Sequence, residues 1–223
     1  MSEIEECPAV ARIQQNLLAQ LERRLLTWLC VRMPAWVKPD LLTAIGMIGA
    51  VVIFAGYVGS IEHPAWLWVA VGGYFIQWFG DSMDGSLARS RKIERPRFGY
   101  FIDHSCDGLA TLLIMGGIGL SPYVRLDVAL IALSGYLLLA IHAFLSARVL
   151  NELKLSYVAF GPTELRLVLI AITVAMWALG PGPRLFESLS GFDLLIGSAG
   201  LVLIALFVIQ TLATARRLAR EDP

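Results

Sequence analysis

DSMDGSLARSRKIERPRFGYFIDHSCD, Asp81 to Asp107, holds four aspartates and six further acidic or basic residues, and it lies between two long apolar segments. Charge at the edge of a membrane is costly, so carboxylates kept there call for a reason. Asp81, Asp84, Gly85, Ala88 and Arg89 step by 3, 1, 3 and 1, which places them on one face of a helix. Gly99, Asp103 and Asp107 step by 4 and 4, again one face. The run RKIERPRF, with its proline, supplies a turn between the two helices. The reading is a helical hairpin in which two stripes of two carboxylates face one another.

The rest of the chain fixes the setting of that hairpin. Its 223 residues are 57% hydrophobic and only 16% charged, with mean hydropathy +0.68. A soluble domain carries about 25% charged residues, so the class is an all-α integral membrane protein, a single domain over 1–223. A spanning helix needs roughly 20 mainly apolar residues. Such segments fall at 41–61, 65–83, 99–120, 128–150, 165–180 and 194–213, predicting a six-helix bundle over 41–213. The acidic N-terminus, MSEIEEC, lacks the basic start and apolar run of a secretory signal. Cys7, Cys30 and Cys106 match no metal or redox spacing and are expected to be reduced.

Ahead of the first span, residues 10–36 read as an amphipathic helix in the membrane interface. Ile13, Leu17, Leu18, Leu21, Leu25 and Leu29 recur at helical spacing, with Gln14, Gln20, Arg23 and Arg24 opposite and Trp28 and Trp36 near its end. Orientation follows from the basic residues. All Lys and Arg except Arg125 and Arg184 fall on one side of a six-span topology. The positive-inside rule therefore places both termini and the aspartate-rich hairpin at the cytoplasm.

Four clustered carboxylates repel one another unless a cation intervenes. Hard oxygen ligands suit Mg²⁺, Mn²⁺ or Ca²⁺. Four of them can hold a two-metal site that clamps a diphosphate. Gly85 and Ala88 leave room on the same face, and Arg89 offers a fixed cation to phosphate oxygens. A cation transporter would use the same residue types, but would place them near the midplane.

The pattern D-x-x-D-G-x-x-A-R followed by G-x-x-x-D-x-x-x-D resembles the signature of the CDP-alcohol phosphotransferase (CDP-alcohol phosphatidyltransferase) family, and all eight of its positions are filled here. Nine residues separate Arg89 from Gly99, a longer interval than is usual in the family, and the excess falls in the turn. Lys38-Pro39-Asp40-Leu41-Leu42-Thr43 and Gly46 are similar to the family's opening of its first spanning helix, with Asp40 where Asn is commoner. The resemblance implies six spans after an amphipathic helix, a CDP-linked donor, an alcohol acceptor, membrane lipids as surroundings, no nucleic acid, two Mg²⁺ or Mn²⁺ ions and a homodimer. It implies that Asp81, Asp84 and Asp103 bind metal, that Asp107 contributes to the second ion and acts as general base, and that Gly85, Ala88, Arg89 and Gly99 shape the CDP site. The reaction it implies is attack of the alcohol on the β-phosphorus with loss of CMP. The chain's short length resembles enzymes that use CDP-diacylglycerol. The local run Asp103-His104-Ser105-Cys106-Asp107 resembles the choline and ethanolamine branch, in which a CDP-aminoalcohol reacts with diacylglycerol.

Other residues carry plainer expectations. His104 is off the 99–103–107 stripe and is expected to pack on the other face of its helix. Arg91, Lys92, Arg95 and Arg97 fit either phosphate contacts or the charge bias. Arg148 reads as an interfacial arginine, and His142 lies on the same helix. Gly161-Pro162-Thr163-Glu164 precedes the fifth span, with Thr163 read as its N-cap. Glu164 and Arg166 facing the acceptor pocket is the less favoured reading.

Overall fold

The computed structural model describes residues 11–12, 19–150, 152–153, 161–182 and 189–221. These form seven helices: α1 (Ala19–Arg32), α2 (Pro39–Gly59), α3 (Trp66–Arg91), α4 (Pro96–Leu120), α5 (Leu126–Leu150), α6 (Pro162–Leu179) and α7 (Gly191–Glu221). A parallel two-residue pairing joins β1 (Ala11–Arg12) to β2 (Glu152–Leu153). Three helices open on proline, at Pro39, Pro96 and Pro162. Proline suits that position because its missing N–H would have no partner in the first turn.

The four helices α2, α5, α6 and α7 are long and apolar enough to cross a membrane. α3 and α4 match the expected second and third spans in position, at 26 and 25 residues. Each carries the aspartate stripe at one end, which dilutes its apolar run. The expected interfacial helix is shorter than 10–36, as α1 covers Ala19–Arg32; Ile13, Leu17 and Leu18 lie outside the described residues. Leu21, Leu25 and Trp28 are exposed, whereas Leu26 and Cys30 are buried against Met83 and Leu87 of α3. The face packed on α3 lies beside the expected stripe, of which Leu29 joins the contact while Leu21 and Leu25 stay uncovered. It is chosen by contact with α3 rather than by the longest apolar row.

α2 and α3 are joined backbone to backbone. A Cβ on Gly80 would collide with Gly46 and with the Leu42 carbonyl, and one on Gly49 or Gly56 would collide with the backbone of Gln77 or Ala70. Small residues permit this approach where lipid supplies no hydrophobic drive. α5 meets α7 in the same way, as a Cβ on Gly200 would lie 2.7 Å from Ala132 Cα. Deeper in the bundle, Tyr57, Tyr74 and Thr173 share hydroxyl bonds of 3.2 and 2.6 Å centred on Tyr57. Buried hydroxyls need such partners where water is absent.

α3 and α4 are linked by only four residues, 92–95. Lys92 takes a left-handed conformation (φ 56°) and closes α3. Arg91 fixes the neighbouring α1–α2 connection, donating to the carbonyls of Met33 (3.0 Å), Pro34 (2.9 Å) and Val37 (2.6 Å). That is its use here, beyond the general charge bias. Arg95 pairs with Asp40 at the start of α2.

Candidate active site

The α2–α3 seam sets one wall of a cleft and α4 sets the other. Asp81, Asp103 and Asp107 line it together, with Gln77, Thr43 and Cys106. The hairpin expected from the spacing therefore brings three of the four aspartates to one place. Asp84, one turn further along α3, is held differently. Its Oδ2 accepts the Thr43 hydroxyl at 2.6 Å and its Oδ1 accepts the Gly85 amide at 2.5 Å. It stays within electrostatic reach of Asp107.

The remaining residues of the pattern sit toward the helix ends. Gly85 faces Arg89, since a Cβ there would lie 3.3 Å from the Arg89 guanidinium. Arg89 is exposed and donates to Ser86 Oγ at 3.3 Å. Ala88 is half-buried next to it. Gly99 is in the first turn of α4, with open space where a Cβ would project.

Two neighbours of the cleft were weighted lightly in the sequence and matter here. Arg166 of α6 donates through Nε to Gln77 Oε1 at 2.6 Å and through Nη2 to Asp81. Its side chain is only 12% exposed. Glu164 accepts the Gly161 amide at 3.0 Å, but the cap position is Gly161 and the expected cap residue, Thr163, lies inside α6, because the helix opens earlier, on Pro162. The expectation for His104 needs correction. Its Nδ1 lies 3.8 Å from Asp103 and 3.7 Å from Asp107, while its ring packs on Tyr100 and Phe144. The reason is helical: position 104 precedes 107 by three residues and so borders the stripe. His104 Nε2 is buried without a hydrogen-bond partner among the described residues. His142 contacts Ser146 and Thr211 on α5 and α7 instead, and Arg148 is exposed. Cys30 and Cys106 are free thiols, and Cys7 lies outside the described residues.

The donor set fits a hard divalent cation. Asp103, His104 and Asp107 each offer a ligand atom, all within 4.8 Å of one another, and Asp81 faces the same space from α3. Carboxylate oxygens are the ligands that Mg²⁺ and Mn²⁺ prefer. The cleft carries more negative charge than the single guanidinium of Arg166 can balance.

Comparison with known proteins bears on what such a cleft does. Residues 36–214 match the model of the CDP-alcohol phosphatidyltransferases. The chain belongs to that family. The family is one of membrane transferases, and four helices of the chain are long and apolar enough to cross a membrane. Enzymes of this family depend in general on divalent cations. The chain is 35% identical to cholinephosphotransferase 1 of Mus musculus over 106 residues, 45% of this chain and 26% of that protein. It is 33% identical to archaetidylinositol phosphate synthase of Pyrococcus horikoshii over 102 residues, covering 44% and 50%. It is 30% identical to CDP-diacylglycerol–glycerol-3-phosphate 3-phosphatidyltransferase of Cereibacter sphaeroides over 145 residues, covering 61% and 62%. The match thus spans about a quarter of the length of the cholinephosphotransferases.

Proposed function

We propose that the chain transfers a phosphatidyl group from CDP-diacylglycerol to the hydroxyl of a small polar alcohol, releasing CMP. The observation that carries this reading is the cleft in which Asp81 from α3 meets Asp103 and Asp107 from α4. The donor assignment is supported by the extent of the likeness to the Cereibacter sphaeroides enzyme, which runs through 61% of the chain. We read α3 and α4 as spans alongside the four apolar helices, with α1 in the interface and the cleft at the cytoplasmic surface. A nucleotide can then arrive from water while lipid tails stay in the bilayer.

In this reading Asp81, Asp84, Asp103 and Asp107 hold the cations, Mg²⁺ or Mn²⁺. When bound, such ions would neutralise the diphosphate and stabilise the negative charge that develops on its oxygens. The protein supplies the rest. Asp107 takes the proton of the acceptor hydroxyl as that oxygen attacks the β-phosphorus. The bond from that phosphorus to the bridging oxygen breaks, and CMP leaves with the oxygen. Arg89, exposed near the end of α3, would meet donor phosphate oxygens. Gly85, Ala88 and Gly99 keep the approach to the cleft low. Positioning and charge placement carry most of the acceleration in phosphoryl transfer.

A second reading has its own observation. The run Asp103-His104-Ser105-Cys106-Asp107 and the likeness to cholinephosphotransferases favour a CDP-aminoalcohol donor with diacylglycerol as acceptor. Purified protein in detergent, with Mg²⁺ or Mn²⁺, decides between them through CMP release. CDP-diacylglycerol with a panel of alcohols forms one set, and diacylglycerol with CDP-choline or CDP-ethanolamine forms the other. Metal-dependent release in the first set alone supports the proposal; release in the second alone replaces it with the aminoalcohol reaction.

A further inference from the structure

α1 carries one acidic residue in its described length, Glu22, among Arg23, Arg24 and Arg32. The three arginines are exposed. Glu22 turns inward, and one of its oxygens joins three helices. Oε1 accepts Trp78 Nε1 at 3.0 Å and Ser82 Oγ at 3.2 Å from α3, and Thr163 Oγ1 at 2.8 Å from α6.

The sequence positions of these donors matter. Trp78 and Ser82 directly follow Gln77 and Asp81, the two residues that accept from Arg166. Thr163 precedes Arg166 by three residues, so both fall on one side of α6. α6 therefore meets the cleft end of α3 at two adjacent places: directly through Arg166, and through Glu22 as a bridge. Apolar packing holds the second half of α6, where Met176 is buried and Leu169, Ile170 and Ile172 pack against the core. At its cleft end Leu165, Leu167 and Val168 are exposed, so the register there rests on polar contacts.

We infer that Glu22 is a positioning residue for the active site, fixing α6 on α3 so that Arg166 is seated against Asp81. α1 is thereby a working part of the site as well as a membrane-surface helix. A charge placed only for solubility would face outward with Arg23 and Arg24. A carboxylate that accepts three bonds from two other helices holds those helices in one arrangement, because charge-assisted hydrogen bonds are stronger and more directional than neutral ones.

The test uses full-length protein in detergent and two readouts. The first is Mn²⁺ affinity by calorimetry, which rests on the metal reading above. Glu22→Ala is expected to weaken Mn²⁺ binding by about 10-fold, the size of effect seen when a group supporting a metal ligand is removed. Glu22→Gln keeps the accepting oxygen and should recover most of that loss. Leu26→Ala, which loosens α1 on α3 without touching Glu22, should lower the melting temperature and leave the affinity unchanged. The second readout needs no metal. The melting-temperature losses of Glu22→Ala and Arg166→Gln should be markedly less than additive in the double variant, since both act on one contact. A folded Glu22→Ala protein with wild-type Mn²⁺ affinity and additive thermal losses overturns the inference. If the wild-type protein binds no Mn²⁺, the metal reading fails by itself, and the thermal cycle still decides the role of Glu22.

Discussion

α4 joins two polar clusters that are built in opposite ways. Beyond its far end, Asp193 accepts the backbone amides of Arg125 and Ser190, each at 2.7 Å, and is 4% exposed. Ser190 Oγ in turn donates to the Tyr123 carbonyl at 3.0 Å, and Arg125 pairs with Asp127 through bonds of 3.0 and 2.7 Å. Each carboxylate there is matched by donors close to it, and the cluster ties the start of α7 to the α4–α5 connection. At the near end, three carboxylates line one cleft with one guanidinium among them. The lesson is one of charge balance. An acidic group matched by amides completes a fold, and a surplus of carboxylate charge is a place for a cation. The half-buried histidine between Asp103 and Asp107 adds a nitrogen to the second kind of cluster and none to the first.

Several substitutions test that contrast. The largest effect is expected for Asp107→Asn, which should lower the rate of CMP release by about 10²–10⁴-fold if it removes the general base. Binding of CDP should persist, as measured by calorimetry in the same detergent. Activity near wild type would remove Asp107 from that role. Asp193→Asn, at the other cluster, should act on stability instead. It weakens a buried acceptor of two amides, so a loss of about 1–3 kcal/mol is expected in thermal unfolding. The surviving protein should keep its KM for the donor. A changed KM would mean that the two clusters are coupled and the contrast is false. Arg95→Gln should do least. Its pair with Asp40 is more than half exposed on both sides, and exposed pairs contribute about 0–1 kcal/mol. A large loss of activity on that substitution would bring Arg95 into the substrate site.

The contrast also shows what the sequence could and could not reveal. Asp81, Asp84, Asp103 and Asp107 were legible because their spacings are local: steps of three and four residues become a helical face without knowledge of the tertiary structure. The starts of α2, α4 and α6 were read two to three residues late, at 41, 99 and 165, because Pro39, Pro96 and Pro162 were left in the preceding loops although proline suits the first helical position. Arg166 was weighed and set low, because its partner Asp81 is 85 residues away and no local period connects them. Thr43 entered only as part of an opening motif, and its bond to Asp84 depends on the glycine seam between α2 and α3. Glu22 drew no comment in the sequence, since a lone acid on a basic helix has the look of a solvated charge. His104 was misjudged because a single stripe was drawn too narrowly. A helical face is wide enough to include a neighbour three residues before Asp107.

The glycine seam has a consequence for traffic. Along Gly46, Gly49 and Gly56 the backbone of α2 is closed against α3, which leaves no slot wide enough for an acyl chain. Under the proposed reaction, the tails of a lipid substrate would enter from another side of the perimeter. The seam is thus a wall as well as a mount, and it closes one direction of approach to the carboxylates.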